Sequence, residues 1–287
     1  MSQHLVQGIR VGGSALPDGV MMLTPLAVAI ARAQTDGSFQ VESFALPERK
    51  PSRLDKVPFV RIVPKLVGQM ALVVRGWKPG QGRIPVPVLG AAIAIGIVST
   101  LINVVLANLS TVWHAVVSSL LQLILFFAII ALTRLFPRFG RIWRFHGGEH
   151  QAIAAYEAGL DLTVENAVTR TLYHPRCGTN LATLAMVLMV PGMVVGSLLA
   201  GWVGYIVTVA VPLPALCVAF EIVMLGQKRW KAVLWPGLAF QRLTVARPGP
   251  IESQAGITAL HAALEQHMEI EAARSTAANG ALARSAS

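Results

Sequence analysis

Two long stretches without ionised side chains decide what this chain can become. From Ile84 to Thr133 there is no Asp, Glu, Lys or Arg, and from Cys177 to Gln227 the one ionised residue is Glu221. Each stretch runs to about fifty residues, and a helix needs roughly 20 apolar residues to cross a bilayer, so each holds two spans. Backbone groups inside a bilayer have to be satisfied within the segment, which makes helical hairpins the expected form. The spans are placed at Val88–Leu106, Val112–Leu132, Leu181–Leu199 and Val207–Leu225, with turns at Asn108–Thr111 and Gly201–Gly204. Pro191, Pro212 and Pro214 are expected to kink or end helices. A soluble fold of 30.6 kDa could not easily cover two such hairpins from water.

The distribution of Lys and Arg gives an orientation. Residues 1–86 hold 11, residues 134–176 hold 6 and residues 228–287 hold 7, the whole inventory of 24, and neither hairpin turn has any. Cationic residues of short loops stay on the cytoplasmic side, so both termini and the central loop are expected inside, which four spans allow. The net charge of +10 then reads as topology and as attraction to anionic lipid headgroups. Nucleic-acid binding is not expected, because no basic–aromatic motif accompanies the charge. Met1–Val20 lacks an apolar core with a cleavage site, so the first span is expected to act as the targeting signal. Cys177 falls in a polar loop and Cys217 within a span, which argues against a disulfide between them.

The fold class expected is mainly α: a polytopic helical membrane protein of about four spans in two hairpins, with a small cytosolic α+β portion. A cytosolic N-terminal region covers 1–83, the hairpins 84–133 and 181–227, a His/Cys loop 134–180, and a cytosolic C-terminal region 228–274. In the first region Gln34–Gly37 separates two β-prone runs, Ala27–Arg32 and Ser38–Phe44, a hairpin signal. Pro47–Arg53 is a basic linker, and Val57–Gly76 suits a helix at the membrane surface or an ordinary packed one. Ile257, Leu260, Leu264 and Met268 recur at helical spacing over Ile251–Ala273, with His261 and His267 expected at the surface. From Ser275 the Ala/Ser-rich tail, 275–287, is expected to be disordered.

The chemistry gathers in the central loop. His146–Gly147–Gly148–Glu149–His150 has H-x-x-E-H spacing, in which two imidazoles one helical turn apart bind zinc and the Glu polarises water. Its two glycines disfavour a helix by about 1 kcal/mol each, unless the backbone there passes close to another element. His174 and Cys177 lie three apart on a Pro- and Gly-containing turn. The clusters offer a His146, His150, His174 and Cys177 ligand set, with Glu157 and Glu165 as further candidates. One follows span two and the other precedes span three, so both leave the membrane on the same side. Glu221 is a candidate as the lone charge of the second hairpin, although it could also reach the interface or meet an Arg. His114, beside Trp113 at the outer turn, suits an interfacial role.

At these residues the chain resembles the YqhQ-like family of bacterial integral membrane proteins, a family of unknown function. The resemblance lies in His146–His150, Thr163–Asn166 (TVEN) and His174–Thr179 (HPRCGT). It extends to Gly12–Gly13 with Gly19–Met22, to Val57–Arg61 (VPFVR), to Leu213–Glu221 and to Trp235–Thr244 (WPGLAFQRLT). Gly148 stands where the family usually has Ala, Gln151 where Lys is usual, and Leu23 where a basic residue is common. The resemblance implies a bacterial cytoplasmic membrane location and a label of predicted metal-dependent enzyme.

The leading expectation is a metal-binding membrane protein, a zinc-dependent hydrolase at the inner bilayer face. His146, His150 and His174 or Cys177 hold the metal, Glu149 is the base and Arg176 steadies an anionic group. The apolar surroundings favour a lipid or membrane peptide as substrate. The alternative is a non-enzymatic factor whose closed zinc site staples the loop for binding another protein. A transporter using Glu221 ranks third.

Overall fold

Three short turns, two of them containing Asp, fold the N-terminal residues into an antiparallel meander. In the computed structural model, which describes residues 8–47, 53–68, 86–199 and 201–285, its strands are β1 (Gly12–Leu16), β2 (Gly19–Leu23), β3 (Ala27–Ala33) and β4 (Phe39–Ala45), in that order. The β3–β4 hairpin is the one anticipated. Asp36 Oδ1 accepts from the Ser38 N–H at 2.9 Å, and Gly37 supplies a φ of 83°. The Gly-rich stretch before it supplies β1 and β2, which the sequence reading did not identify as strands. Gly19 is required there, because a Cβ would run into the Ala31 carbonyl of β3.

The chain divides into two units, one drawn from residues 1–50, 134–174 and 245–287, the other from 51–133 and 175–244. In the first, α4 (Pro137–Glu157) packs on β1 and β2, and α10 (Pro250–Ser285) packs on α4 and on β2 to β4. Ile257, Leu260 and Leu264 are buried along α10, as their spacing requires, and meet Val20, Met22, Ala29, Phe145 and Ile153 in one core. Two expectations are corrected here. The tail from Ser275 is helical to Ser285, because its alanines are strong helix formers; residues 286–287 lie outside the described residues. His261 is exposed as expected, but His267 is buried, with Nδ1 3.0 Å from Thr24 Oγ1 at the β2–β3 turn.

The second unit is helical. A short helix, α1, covers 62–68, and α2 (Val86–Val105), α3 (Thr111–Thr133), α6 (Gly178–Leu198), α7 (Gly201–Ala210), α8 (Pro212–Lys228) and α9 (Trp235–Thr244) follow. Residues 69–76 of the expected surface helix, residues 48–52 of the linker and Ile84–Pro85 lie outside the described residues. Among the described residues three helices are long and apolar enough to cross a membrane: Thr111–Thr133, Gly178–Leu198 and the α7–α8 run Gly201–Lys228. Of α2, Gly96–Val105 forms a shorter apolar helix. Pro191 lies within α6 without ending it. The turn of the second hairpin comes before the position expected, with Gly201 at φ 60°, and α7 meets α8 at Val211, ahead of the donor-less Pro212.

The burial pattern of this unit is the reverse of a soluble core. Large apolar side chains such as Ile124, Leu132, Val187, Trp202 and Ile206 face outward, while Ser118, Ser119, Asn180 and Thr183 are buried. Helix approach rests on small residues: Gly192 abuts Val211, and Gly196 and Gly204 leave no room for a Cβ between α6 and α7. His114, on α3, places Nε2 3.3 Å from the Asn103 carbonyl of α2.

Candidate metal centre

The helix carrying the histidines starts at Pro137, whose fixed φ suits a first helical turn, and runs unbroken through both glycines to Glu157. Those glycines lower intrinsic helix stability, and the packing shows why they are tolerated. A Cβ on Gly147 would strike the Ala246 carbonyl, one on Gly148 the Glu252 carbonyl, and one on Gly256 the Gly148 carbonyl. The approach to α10 and its first turns lie directly on the α4 backbone. Two polar ties hold this contact: Ala246 N–H donates to the Trp143 carbonyl at 2.9 Å, and Arg144 Nε to Glu252 Oε1 at 2.9 Å. Glu252 also caps its own helix, accepting the Gly249 N–H at 2.9 Å.

On this rigid helix His146 and His150 stand one turn apart, ring centroids 4.4 Å from each other. His150 is buried, and its Nδ1 donates to the Leu172 carbonyl at 2.5 Å. A carbonyl can only accept, so Nδ1 carries the proton and the neutral ring keeps its lone pair on Nε2. That Nε2 is buried and has no hydrogen-bond partner among the described residues. Burial holds the His150 pKa down at about 3; the charges of His146 and His174 push the same way, and the Leu172 carbonyl opposes them. A neutral imidazole tied at one nitrogen to a carbonyl, with the other nitrogen bare, is the form in which histidine binds metal.

The turn that follows brings the thiol. Cys177 caps α6, its Sγ accepting the Thr179 N–H at 3.5 Å and lying 3.1 Å from Thr179 Oγ1. Burial raises its pKa, with the Thr179 contacts opposing. His146, His150 and Cys177 form a group that could hold a metal ion. Two imidazoles and a thiolate form a borderline-soft donor set of the kind zinc takes.

The other anticipated residues sit differently. His174 is buried with its ring 5.9 Å from that of His150, but its Nε2 is engaged by Glu157 Oε2 at 3.1 Å, and burial lowers its pKa. Glu149 is buried against β1, where a Cβ on Gly13 would touch its side chain. Arg176 and Glu165 are exposed. Glu165 lies in the first turn of α5 (Val164–Val168), next to the cap made by Thr163, which accepts the Asn166 N–H. Both cysteines are free thiols. Glu221 is bound by Arg61, Nε to Oε1 at 2.8 Å and Nη2 to Oε2 at 2.5 Å, and by the Phe59 N–H at 3.0 Å.

Sequence reasoning did not find the Leu172 carbonyl, and no residue type could have signalled it. Gln151, buried next to the second histidine, supports the same loop, with Nε2 3.5 Å from the Val168 carbonyl and 3.4 Å from the Arg170 carbonyl. Its signal was its place in the motif.

A family model described as protein of unknown function (DUF1385) matches residues 83–266. The chain belongs to this family. It is 28% identical over 291 residues to a Bacillus subtilis (strain 168) protein described as "Uncharacterized protein YqhQ", covering 86% of this chain and 90% of that one. No solved structure matches the chain. Family membership gives the quoted segments a common logic, because they meet in pairs. Gly13 of β1 lies on Glu149, VPFVR holds Glu221, and Gly237 of the WPG in α9 lies on Asn180, which directly follows HPRCGT.

Proposed function

We propose that this protein holds zinc through His146, His150 and Cys177 at the cytoplasmic face of a bacterial inner membrane. There it acts as a hydrolase on a lipid or membrane peptide. The topology belongs to the proposal: four spans, with α2 as the first, and both termini cytoplasmic, in line with Lys and Arg absent from both hairpin turns. The observation that carries the site is the bare, buried Nε2 of His150, whose tautomer the Leu172 carbonyl sets. The two imidazoles and the thiolate would hold the zinc, which would supply a Lewis acid toward water and substrate oxygens. The residues have separate tasks in this scheme. Glu149 accepts a proton, Glu157 holds His174 at Nε2, and the exposed Arg176 meets an anionic group of the substrate.

A second reading has an observation of its own. The Glu149 side chain packs against Gly13 of β1, which suits a structural zinc staple that shapes the cytosolic unit for a partner protein. Glu149→Gln separates the two readings: in the hydrolase it retains metal and loses turnover, whereas in a staple it changes neither metal nor partner binding. Glu221, bound by Arg61, enters neither reading. The first experiment is elemental analysis of detergent-purified protein beside a His150→Ala/Cys177→Ala double variant. About one zinc per chain, lost in the variant, is expected; folded protein that takes no metal even when zinc is supplied would sink the proposal.

A further inference from the structure

The turn bearing Cys177 is held by a residue that comes after it. Asn180, 1% exposed, donates its backbone N–H to the Cys177 carbonyl at 3.0 Å and its Nδ2 to the Pro175 carbonyl at 2.8 Å. Its Oδ1 accepts from Gln241 Nε2 of α9 at 3.1 Å, and Gln241 is fully buried. α9 leaves no slack here, because a Cβ on Gly237 would collide with Asn180 Oδ1. Three residues later the Thr183 hydroxyl donates to the Thr179 carbonyl at 2.7 Å, completing the tie at this end of α6.

Two amide side chains in the interior of an apolar helical unit are expensive unless satisfied, and leucine would fill the same space at lower cost. What the amides supply instead is direction. Both donors of Asn180 end on carbonyls that flank Arg176, so they determine the path of the chain through the turn and hence where the neighbouring thiol points. We infer that Asn180 and Gln241 are positioning residues for Cys177, clamping the turn that presents its thiol. As a statement about a metal ligand this rests on the zinc reading; as a statement about the thiol's placement it does not.

The test uses the full chain in a Cys217→Ala background, where Cys177 is the one remaining thiol. Asn180→Asp keeps the shape and the acceptor for Gln241 but loses the donor to Pro175. Gln241→Met keeps the volume and loses the donor to Asn180. In chelator-treated protein both variants are expected to raise the rate of maleimide alkylation of Cys177 several-fold while still unfolding cooperatively. Rates equal to the parent's in both would overturn the inference. If Asn180→Asp yields no folded protein, Gln241→Met decides alone.

Cobalt gives the second readout. The parent should show thiolate-to-cobalt charge-transfer absorption, and the variants should lose it while keeping imidazole-ligated visible bands, with affinity down by about 10- to 100-fold. Full charge transfer and parental affinity in both variants would overturn the positioning role and leave the zinc reading standing. A parent that takes up no cobalt would count against the zinc reading, and the alkylation rates would still decide the positioning.

Discussion

His150 is kept neutral by its surroundings, and that neutrality has a cost that depends on pH. Folded, the ring protonates at about 3, whereas its ordinary value is 6.5. Between those values the unfolded chain binds a proton that the folded chain refuses, so acid favours unfolding. Stability of the metal-free protein should therefore fall as pH drops from about 6.5 toward 3, with no contribution from this ring above that window. Thermal unfolding in detergent at pH 7.5 and at pH 5 checks this: His150→Leu should flatten the decline, and an equal decline in both proteins would refute the assignment. The glycines of the same helix make a contrasting pair. Gly147→Ala forces α4 off the Ala246 carbonyl and should cost about 1–3 kcal/mol. Gly140→Ala, in the same helix, meets nothing closer than the Arg134 carbonyl at 3.6 Å and should be neutral or stabilising by up to about 1 kcal/mol. Chemical denaturation of the two variants is the measurement. These glycines also show where a sequence stops being informative. A local reading sees only their cost to a helix, and the compensating contact comes from residues roughly a hundred positions later in the chain, a separation no local pattern can span. The burial of His267 was illegible for the same reason, its partner being Thr24.

Among the elements, the apolar helices were legible because a bilayer imposes a length and an absence of charge that need no partner to be recognised. β1 and β2 were not, since Gly12, Gly13 and Gly19 weaken strand propensity, and Gly13 and Gly19 take their positions from Glu149 and Ala31. The clamp on α8 was anticipated only as one option, an Arg meeting Glu221; the Phe59 N–H, offered from a residue at φ 65°, could not be read from sequence. That clamp predicts coupling rather than proton transfer. Arg61→Gln and Glu221→Gln should each lower the unfolding midpoint, and the double variant should lose less than their sum. Strict additivity would remove the ion pair from the account. α10 offers a similar contrast along one helix. Its residues from Glu271 to Ala277 are exposed, so deletion after Arg274 should leave the unfolding midpoint unchanged, whereas deletion after Ala259 removes Leu260 and Leu264 and should abolish folding.

For the whole molecule, topology is the property to measure. With Cys177 and Cys217 replaced, single cysteines at Gln40 and Ser275 should resist a membrane-impermeant maleimide in intact cells and react after permeabilisation. One at Leu109 should react in intact cells. Labelling of Gln40 and Leu109 from the same side would refute the two-hairpin arrangement. The first unit also imposes an order of events on synthesis. Its parts come from three separate stretches of chain, and α10, which covers Gly147 and Gly148, is made after both hairpins. A growing chain therefore carries its histidine helix uncovered while about a hundred further residues, the second hairpin among them, are translated. Only a chain translated through α10 can shut that helix away. Termination ahead of α10 would leave it open to proteases, so α10 works as a built-in record that both hairpins have been made.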